Sequence, residues 1–296
     1  MRFGIFIPPF GPCADVATLA TLASEAEEAG WDGFFLWDDV TINIPLPVAD
    51  PLVALSAIAL RTRTLRLGAL VTPLPRRRPW KVARETVTLD HLSQGRLIVG
   101  VGLGGDPAEF DDLGEEADLK VRAAMLGEGL DILTGLWSGE PFQYEGVHYH
   151  IRSAQFLPRP FQSPRIPVWM GGTWPAKAPF RRAAGFDGVF PLGRDLSLTE
   201  MLSPEDIQAI RSFTLEQRAQ AGLLDQPFEV AHAGISSGAD HEQDRALAQS
   251  YATAGVTWWL EHLVPVRWGS WSNWPLEAIR QRILQGPPRP LEKGDH

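Results

Sequence analysis

Two adjacent carboxylates, Asp38 and Asp39, close the apolar run at residues 33–37 (GFFLW). Paired acids at the end of a buried run can divide into a general acid and a general base, or can position a ring nitrogen of a bound molecule. They can equally cap a helix or lie solvated in a polar loop. Two glycine clusters follow similar apolar runs: Gly102-Leu103-Gly104-Gly105 and Gly171-Gly172-Thr173. Glycine lets backbone N–H groups approach an anion closely, and the Thr173 hydroxyl adds a donor, so a phosphate-bearing cofactor fits either cluster. A third cluster, Gly234 with Ser236, Ser237 and Gly238, competes for that task. All three could instead do no more than turn the chain.

Tryptophan is abundant: there are 11, and five fall within residues 258–274 (WWLEHLVPVRWGSWSNW). Trp268 and Trp271, together with Trp37 ahead of the acid pair, are candidates to wall an apolar substrate pocket. Packing of the last helix or of a subunit interface is the alternative. Arg76-Arg77-Arg78 reads as a solvated rim rather than an anion clamp. His148-Tyr149-His150 has a metal-compatible spacing but no third ligand, and the lone Cys13 cannot build a cysteine site or an intramolecular disulfide, so no metal is expected. Cys13 is expected to be structural.

These residues need elements to hold them. Strand-like runs occur at residues 2–8, 33–37, 64–72, 96–103, 166–170, 187–192, 228–235 and 256–263. Several are apolar almost throughout, as parallel strands covered on both faces are. Helical segments alternate with them, opened by Asp15, Asp50-Pro51, Pro79, Asp118, Ser203-Pro204, Asp240 and Pro275, and stopped in two places by Gly30 and Gly95. Eight such repeats in 296 residues specify an α/β chain with right-handed crossovers, a single (β/α)8 TIM barrel spanning residues 1–296. A doubly wound sheet would want a Gly-rich turn after its first strand, where this chain has Pro8-Pro9-Phe10-Gly11. Residues 138–165, with a Tyr-Glu-Gly-Val turn, form a hairpin-like insertion between helix four and strand five, on the face opposite the active mouth.

Charge limits the partners. With 27 basic against 36 acidic residues the formal charge is −9, which disfavours nucleic acid. No apolar run reaches the roughly 20 residues of a membrane span, and the N-terminus lacks a signal-peptide pattern, so a cytoplasmic setting is expected.

The segments EAEEAGWDGFFLWDDV, TLRLGALVTPLPRRRPWKVARETVTLDHLSQGRLIVGVGLGG, LWSGEPFQYEGVHYHI, LPRPFQSPRIPVWMGGTWP and RRAAGFDGVFPL resemble the bacterial luciferase-like flavin-dependent monooxygenases and oxidoreductases. The resemblance implies a TIM barrel holding reduced FMN, or alternatively a deazaflavin coenzyme, at the C-terminal ends of its strands. It favours Gly171, Gly172 and Thr173 for the phosphate. It lays Leu70, Val71 and Thr72 along the ring system, often with a cis peptide or bulge there. Asp38 matches a family aspartate near the ring, and Asp39 stands where the family commonly has histidine, which puts histidine-based proton transfer there in doubt. The tryptophan-rich loop points to a small, apolar organic substrate, and the resemblance further implies oxygen chemistry with FMN supplied by a separate flavin reductase, and a homo-oligomer. The alternatives are deazaflavin-dependent hydride transfer and a non-catalytic flavin-binding barrel. A barrel isomerase or aldolase would want a lysine or glutamate at a strand end, where only Glu261 qualifies.

Overall fold

The computed structural model describes residues 1–42, 44–193 and 198–289. Helix starts follow the capping residues. The Asp15 carboxylate accepts the N–H groups of Ala17 and Thr18 ahead of α1 (Val16–Glu28), and Asp50 accepts that of Val53 ahead of α2 (Pro51–Arg61). Asp118, Ser203 and Asp240 do the same for α5 (Leu119–Trp137), α7 (Pro204–Gln220) and α8 (His241–Ala254), with Ser203 and Asp206 forming a reciprocal capping box. The remaining helices are α3 (Pro79–Leu92), α4 (Ala108–Asp111), α6 (Lys177–Ala183) and α9 (Leu276–Leu284). Pro275 precedes α9 rather than occupying its first turn, and the four-residue α4 lies in the stretch after the fourth sequence repeat, where no helix is expected.

The strands are β1 (Arg2–Ile7), β2 (Gly33–Leu36), β3 (Arg66–Ala69), β4 (Thr72–Pro73), β5 (Val99–Gly102), β8 (Val168–Thr173), β9 (Gly188–Leu192), β10 (Glu229–Gly234) and β11 (Trp258–His262), joined in the order β3-β2-β1-β11-β10-β9-β8-β5-β4. The antiparallel pair β6 (Phe142–Glu145) and β7 (His150–Ala154) stands apart. All nine strands of the large sheet pair in parallel. Where the sequence reads one strand over residues 64–72, the structure has two, β3 and β4, divided by a cis peptide between Leu70 and Val71. They form one stave, so the nine strands make eight staves. The barrel closes where Leu67 N–H donates to Arg96 O at 3.0 Å and Ile98 N–H donates to Leu67 O at 2.8 Å.

Alternation along the staves builds two cores. Inside the barrel, Phe35, Trp169 and Trp258 form an aromatic plug with ring centroids 5.6–5.7 Å apart. Outside, the helices bury Leu19, Leu55, Ile58, Leu130 and Leu133 against the other strand faces. Burial of this apolar surface is the main term holding the layers together. The β6–β7 hairpin joins α5 to the segment before β8, as the sequence predicts. Its turn is held by Glu128 of α5, which accepts the N–H groups of Val147, His148 and Tyr149. No helix of the described residues is long and apolar enough to cross a membrane.

Candidate active site

Asp38 lies just past β2 with its side chain fully buried. Its carboxylate accepts the Thr72 hydroxyl at 2.7 Å, the Arg76 guanidinium at 3.1 Å and the Arg77 guanidinium at 3.0 Å. Arg76 also pairs with the buried Glu109 of α4, which accepts the N–H of Val40. Arg76 and Arg77 are therefore no solvated rim, while Arg78 is exposed as the sequence predicts. Only 4% of the Arg76 side chain is exposed, because it is the shared counter-ion of two buried acids. Sequence reading missed Glu109 because its partner lies 33 residues away in the chain. The only hint was its place in the loop after a strand.

Asp39 is different. It is half-buried, no hydrogen bond or ion pair to it is found among the described residues, and its carboxyl is pushed up to about 7. Burial is the largest cause, followed by repulsion from Glu109 and Asp38, against which Arg76 is a partial offset. With Arg76 and Arg77 bound to other acids, Asp39 remains a carboxyl that can give or take a proton near neutrality.

The glycines surround Val71. A Cβ on Gly102 would come within 2.6 Å of Val71 Cγ2, and one on Gly171 within 2.8 Å of Val71 Cγ1. Gly100 makes the same allowance for Leu70, whose Cδ2 would lie 2.5 Å from the added atom. Val71 thus sits in a notch that glycines on two neighbouring strands leave open. Leu70 is buried in the barrel interior, and Thr72 is tied to Asp38, so of the three only Val71 is partly open. Gly104 has φ +84° and would meet the Phe110 ring at 2.6 Å, and Gly172 would meet Pro179 at 2.3 Å. Thr173, at the end of β8, is exposed. Gly102→Ala should therefore displace Val71 and lower the melting temperature, and adding Val71→Ala should recover at least half of the loss. Equal melting temperatures for the single and double variants, measured by calorimetry, would refute the notch.

The loop after β10 is already filled. Ser236 donates its N–H and hydroxyl to Glu261, while the N–H groups of Ser237 and Gly238 both go to Asp244 at 2.7 Å. The protein's own carboxylates occupy the cradle that Gly234, Ser236, Ser237 and Gly238 could have offered a phosphate. Glu261 is itself fully buried, bound by Arg267 at 2.8 Å, Arg282 at 3.3 Å and the Trp259 indole N–H at 3.1 Å.

Above the plug, aromatic rings line the mouth. Trp37 packs edge-on to Phe10 and Trp271, with centroids 5.9 and 6.1 Å away, and stacks on His262 at 5.6 Å. The Trp37 indole Nε1 is buried with no partner among the described residues. Trp271 touches Trp274, which packs on Gly11 near the buried Cys13, whose thiol burial pushes up to about 12. Trp268 stands apart under Arg267 and is 37% exposed. Trp37 and Trp271 are thus brought together and Trp268 is not. His262, fixed at the end of β11, was missed as a site residue because nothing in one sequence shows which ring it will stack on. Among the described residues no group of three His, Cys, Asp or Glu is placed to hold a metal.

Residues 1–261 match the family model for luciferase-like monooxygenases. The chain belongs to the luciferase-like monooxygenase family. Among the relatives of this luciferase-like chain, 4-hydroxyprotoasukamycin monooxygenase of Streptomyces nodosus subsp. asukaensis is 30% identical over 75% of the chain and 60% of its own length. The F420-dependent glucose-6-phosphate dehydrogenase of Microbacterium testaceum is 32% identical over 60% of the chain and 54% of its own. The chain thus spans less than two thirds of either relative. A solved monooxygenase from Streptomyces bottropensis superposes with a TM-score of 0.67 at 26% identity, covering 86% of this chain and 78% of that one.

Proposed function

We propose that this luciferase-like protein is a flavin-dependent oxidoreductase, a monooxygenase using reduced FMN on a small apolar organic molecule, with Asp39 as its acid–base group. The observation that carries the reading is the pairing of Asp39, raised to about 7, with a mouth walled by Val71, Trp37 and Trp271. The mouth fits a flavin in its chemistry. Val71 in its glycine notch presents an apolar edge for a flat ring, the buried Trp37 Nε1 is a donor still to be used, and the strand ends at Gly104 and at Gly171, Gly172 and Thr173 lie at the rim for a phosphate.

When bound, the flavin supplies the redox chemistry. The chain's residues do the rest. Asp38 holds Thr72 and both arginines, and so fixes the segment that carries Val71. The aromatic rings exclude water from the mouth, which strengthens every charge interaction there. Near neutral pH Asp39 is divided between its protonated and ionised forms, so it can give a proton to the substrate or take one from it. Trp268, away from the ring cluster, is left to the outer rim.

Titrating the purified protein with FMN and, separately, with F420 tests the cofactor. Saturable FMN binding followed by oxygen uptake with reduced FMN supports the oxygenase. Binding of F420 alone would make the protein a hydride-transfer enzyme, the second reading, which its 32% identical F420-dependent relative favours. Binding of neither would remove both. Thr173→Val probes the phosphate end without disturbing the fold, since Thr173 is exposed. It should weaken FMN about tenfold, the worth of one hydrogen bond to a charged group. Gly172 is a poor probe, because a side chain there would strike Pro179 whether or not phosphate binds.

A further inference from the structure

Beside the mouth, residues 191–193 and 198–202 and the ends of β10 and β11 line a smaller chamber of about 100 Å³. Leu192, Met201, Leu202 and Ile235 make its walls largely aliphatic, yet His232 and His262 both line it. They are 1% and 6% exposed. Among the described residues neither ring nitrogen of His232 has a partner, and neither does Nε2 of His262. The rings are held where they are: His232 stacks on Tyr251 at 4.4 Å and meets Trp259 edge-on, while His262 stacks on Phe6 at 5.0 Å and on Trp37.

Burial, with repulsion between the two rings at His232 and from Arg267 at His262, brings each imidazole down to about 3, so both are neutral. The Leu198 backbone favours the protonated His262 ring, a smaller influence than burial, and Nε2 of that ring has no partner among the described residues. A neutral His232 has one N–H and one lone pair in either tautomer. Glu200, which also lines the chamber, has an interaction of its own. Buried polar atoms left unpaired cost about 1–3 kcal/mol each, and native proteins keep few of them without a use.

We propose that this chamber is a substrate subsite for a hydroxyl group on a short alkyl arm, its oxygen accepting from the His232 N–H and its proton donated to a free imidazole lone pair. The proposal rests on the oxidoreductase reading above and names a substrate class for it. Two neutral rings offer no counter-charge to an anion, and the aliphatic walls suit the alkyl arm. An ether can accept but not donate, so it leaves a lone pair unanswered. A site built to bond a hydroxyl discriminates strongly against the analogue that lacks it.

The test uses the whole protein labelled with ¹⁵N-histidine and titrated with butan-1-ol and with its isomer methyl propyl ether. The alcohol should shift the His232 and His262 ring resonances saturably, and the ether should bind at least about tenfold more weakly. Equal shifts from both isomers, or none from either, would overturn the proposal. His232→Phe should raise the melting temperature by removing unpaired polar atoms, whatever their use, but should also abolish the preference for alcohol. A preference retained in that variant counts against the site, and the isomer comparison in the unmutated protein stands even if the variant does not fold. An FMN titration of the same sample separates the two readings. FMN binding without isomer discrimination removes the chamber and leaves the flavin enzyme, and discrimination without FMN or F420 binding does the reverse.

Discussion

Asp39→Asn should lower turnover by about 10²–10⁴-fold, the usual worth of a positioned acid–base group, with FMN affinity changed little. The same substitution should stabilise the protein, and more so as pH rises. The folded carboxyl titrates near 7, against an unfolded value of about 3.9. Between those values the native state binds a proton that the unfolded state has released, so ionising Asp39 costs the fold progressively more as pH climbs from about 4 to 7. Asparagine has no charge to bury. Its melting temperature should match that of the unmutated protein near pH 4 and exceed it at pH 8. A variant that turns over normally would remove Asp39 from the chemistry, and a stability gain independent of pH would remove the raised titration. A group that stabilises when neutralised yet is needed for turnover marks a site where function is held against stability.

The second large effect is structural. Glu261→Ala should cost about 3–5 kcal/mol of unfolding free energy, because it leaves Arg267 and Arg282 buried without their counter-ion. Their side chains are 8% and 3% exposed. Burial works against a charged Glu261, but Arg282 and Arg267, with the Trp259 and Ser236 donors, hold its carboxyl below the usual range. Its lone pairs are committed to these partners, so it has no role left as a strand-end catalyst. Denaturant unfolding of the variant measures the loss, and a change below about 1 kcal/mol would show that the two arginines find other partners. Changing Glu261 and both arginines together to apolar residues should cost less than changing Glu261 alone.

Much of the barrel was legible from residue order. The caps Asp15, Asp50, Asp118, Ser203 and Asp240 act locally, within three residues of the N–H groups they bind, and local chemistry is what a sequence displays directly. The eight-stave closure was readable for a similar reason, since alternation constrains topology. The site was readable only in part. Asp38 and Asp39 stand out as a pair, but their opposite fates depend on which acid captures Arg76 and Arg77, across 38 and 39 residues of chain. The glycines invite a phosphate reading, whereas Gly102 and Gly171 are explained by Val71, a neighbour that only the closed barrel supplies. The loop after β10 looks open in one dimension and is filled in three by Glu261 and Asp244.

The stave divided at Leu70–Val71 is also the one at which the barrel closes, through the short β4–β5 ladder and two backbone bonds between Leu67 and residues 96–98. That seam is short and interrupted, and it runs beside the wall on which a flavin would lie. A bound ring bearing on Val71, and through it on Gly102 and Gly171 of the strands beyond, would bridge that seam. The cofactor would then serve as a rivet as well as a reagent, and the empty barrel would be the looser of the two.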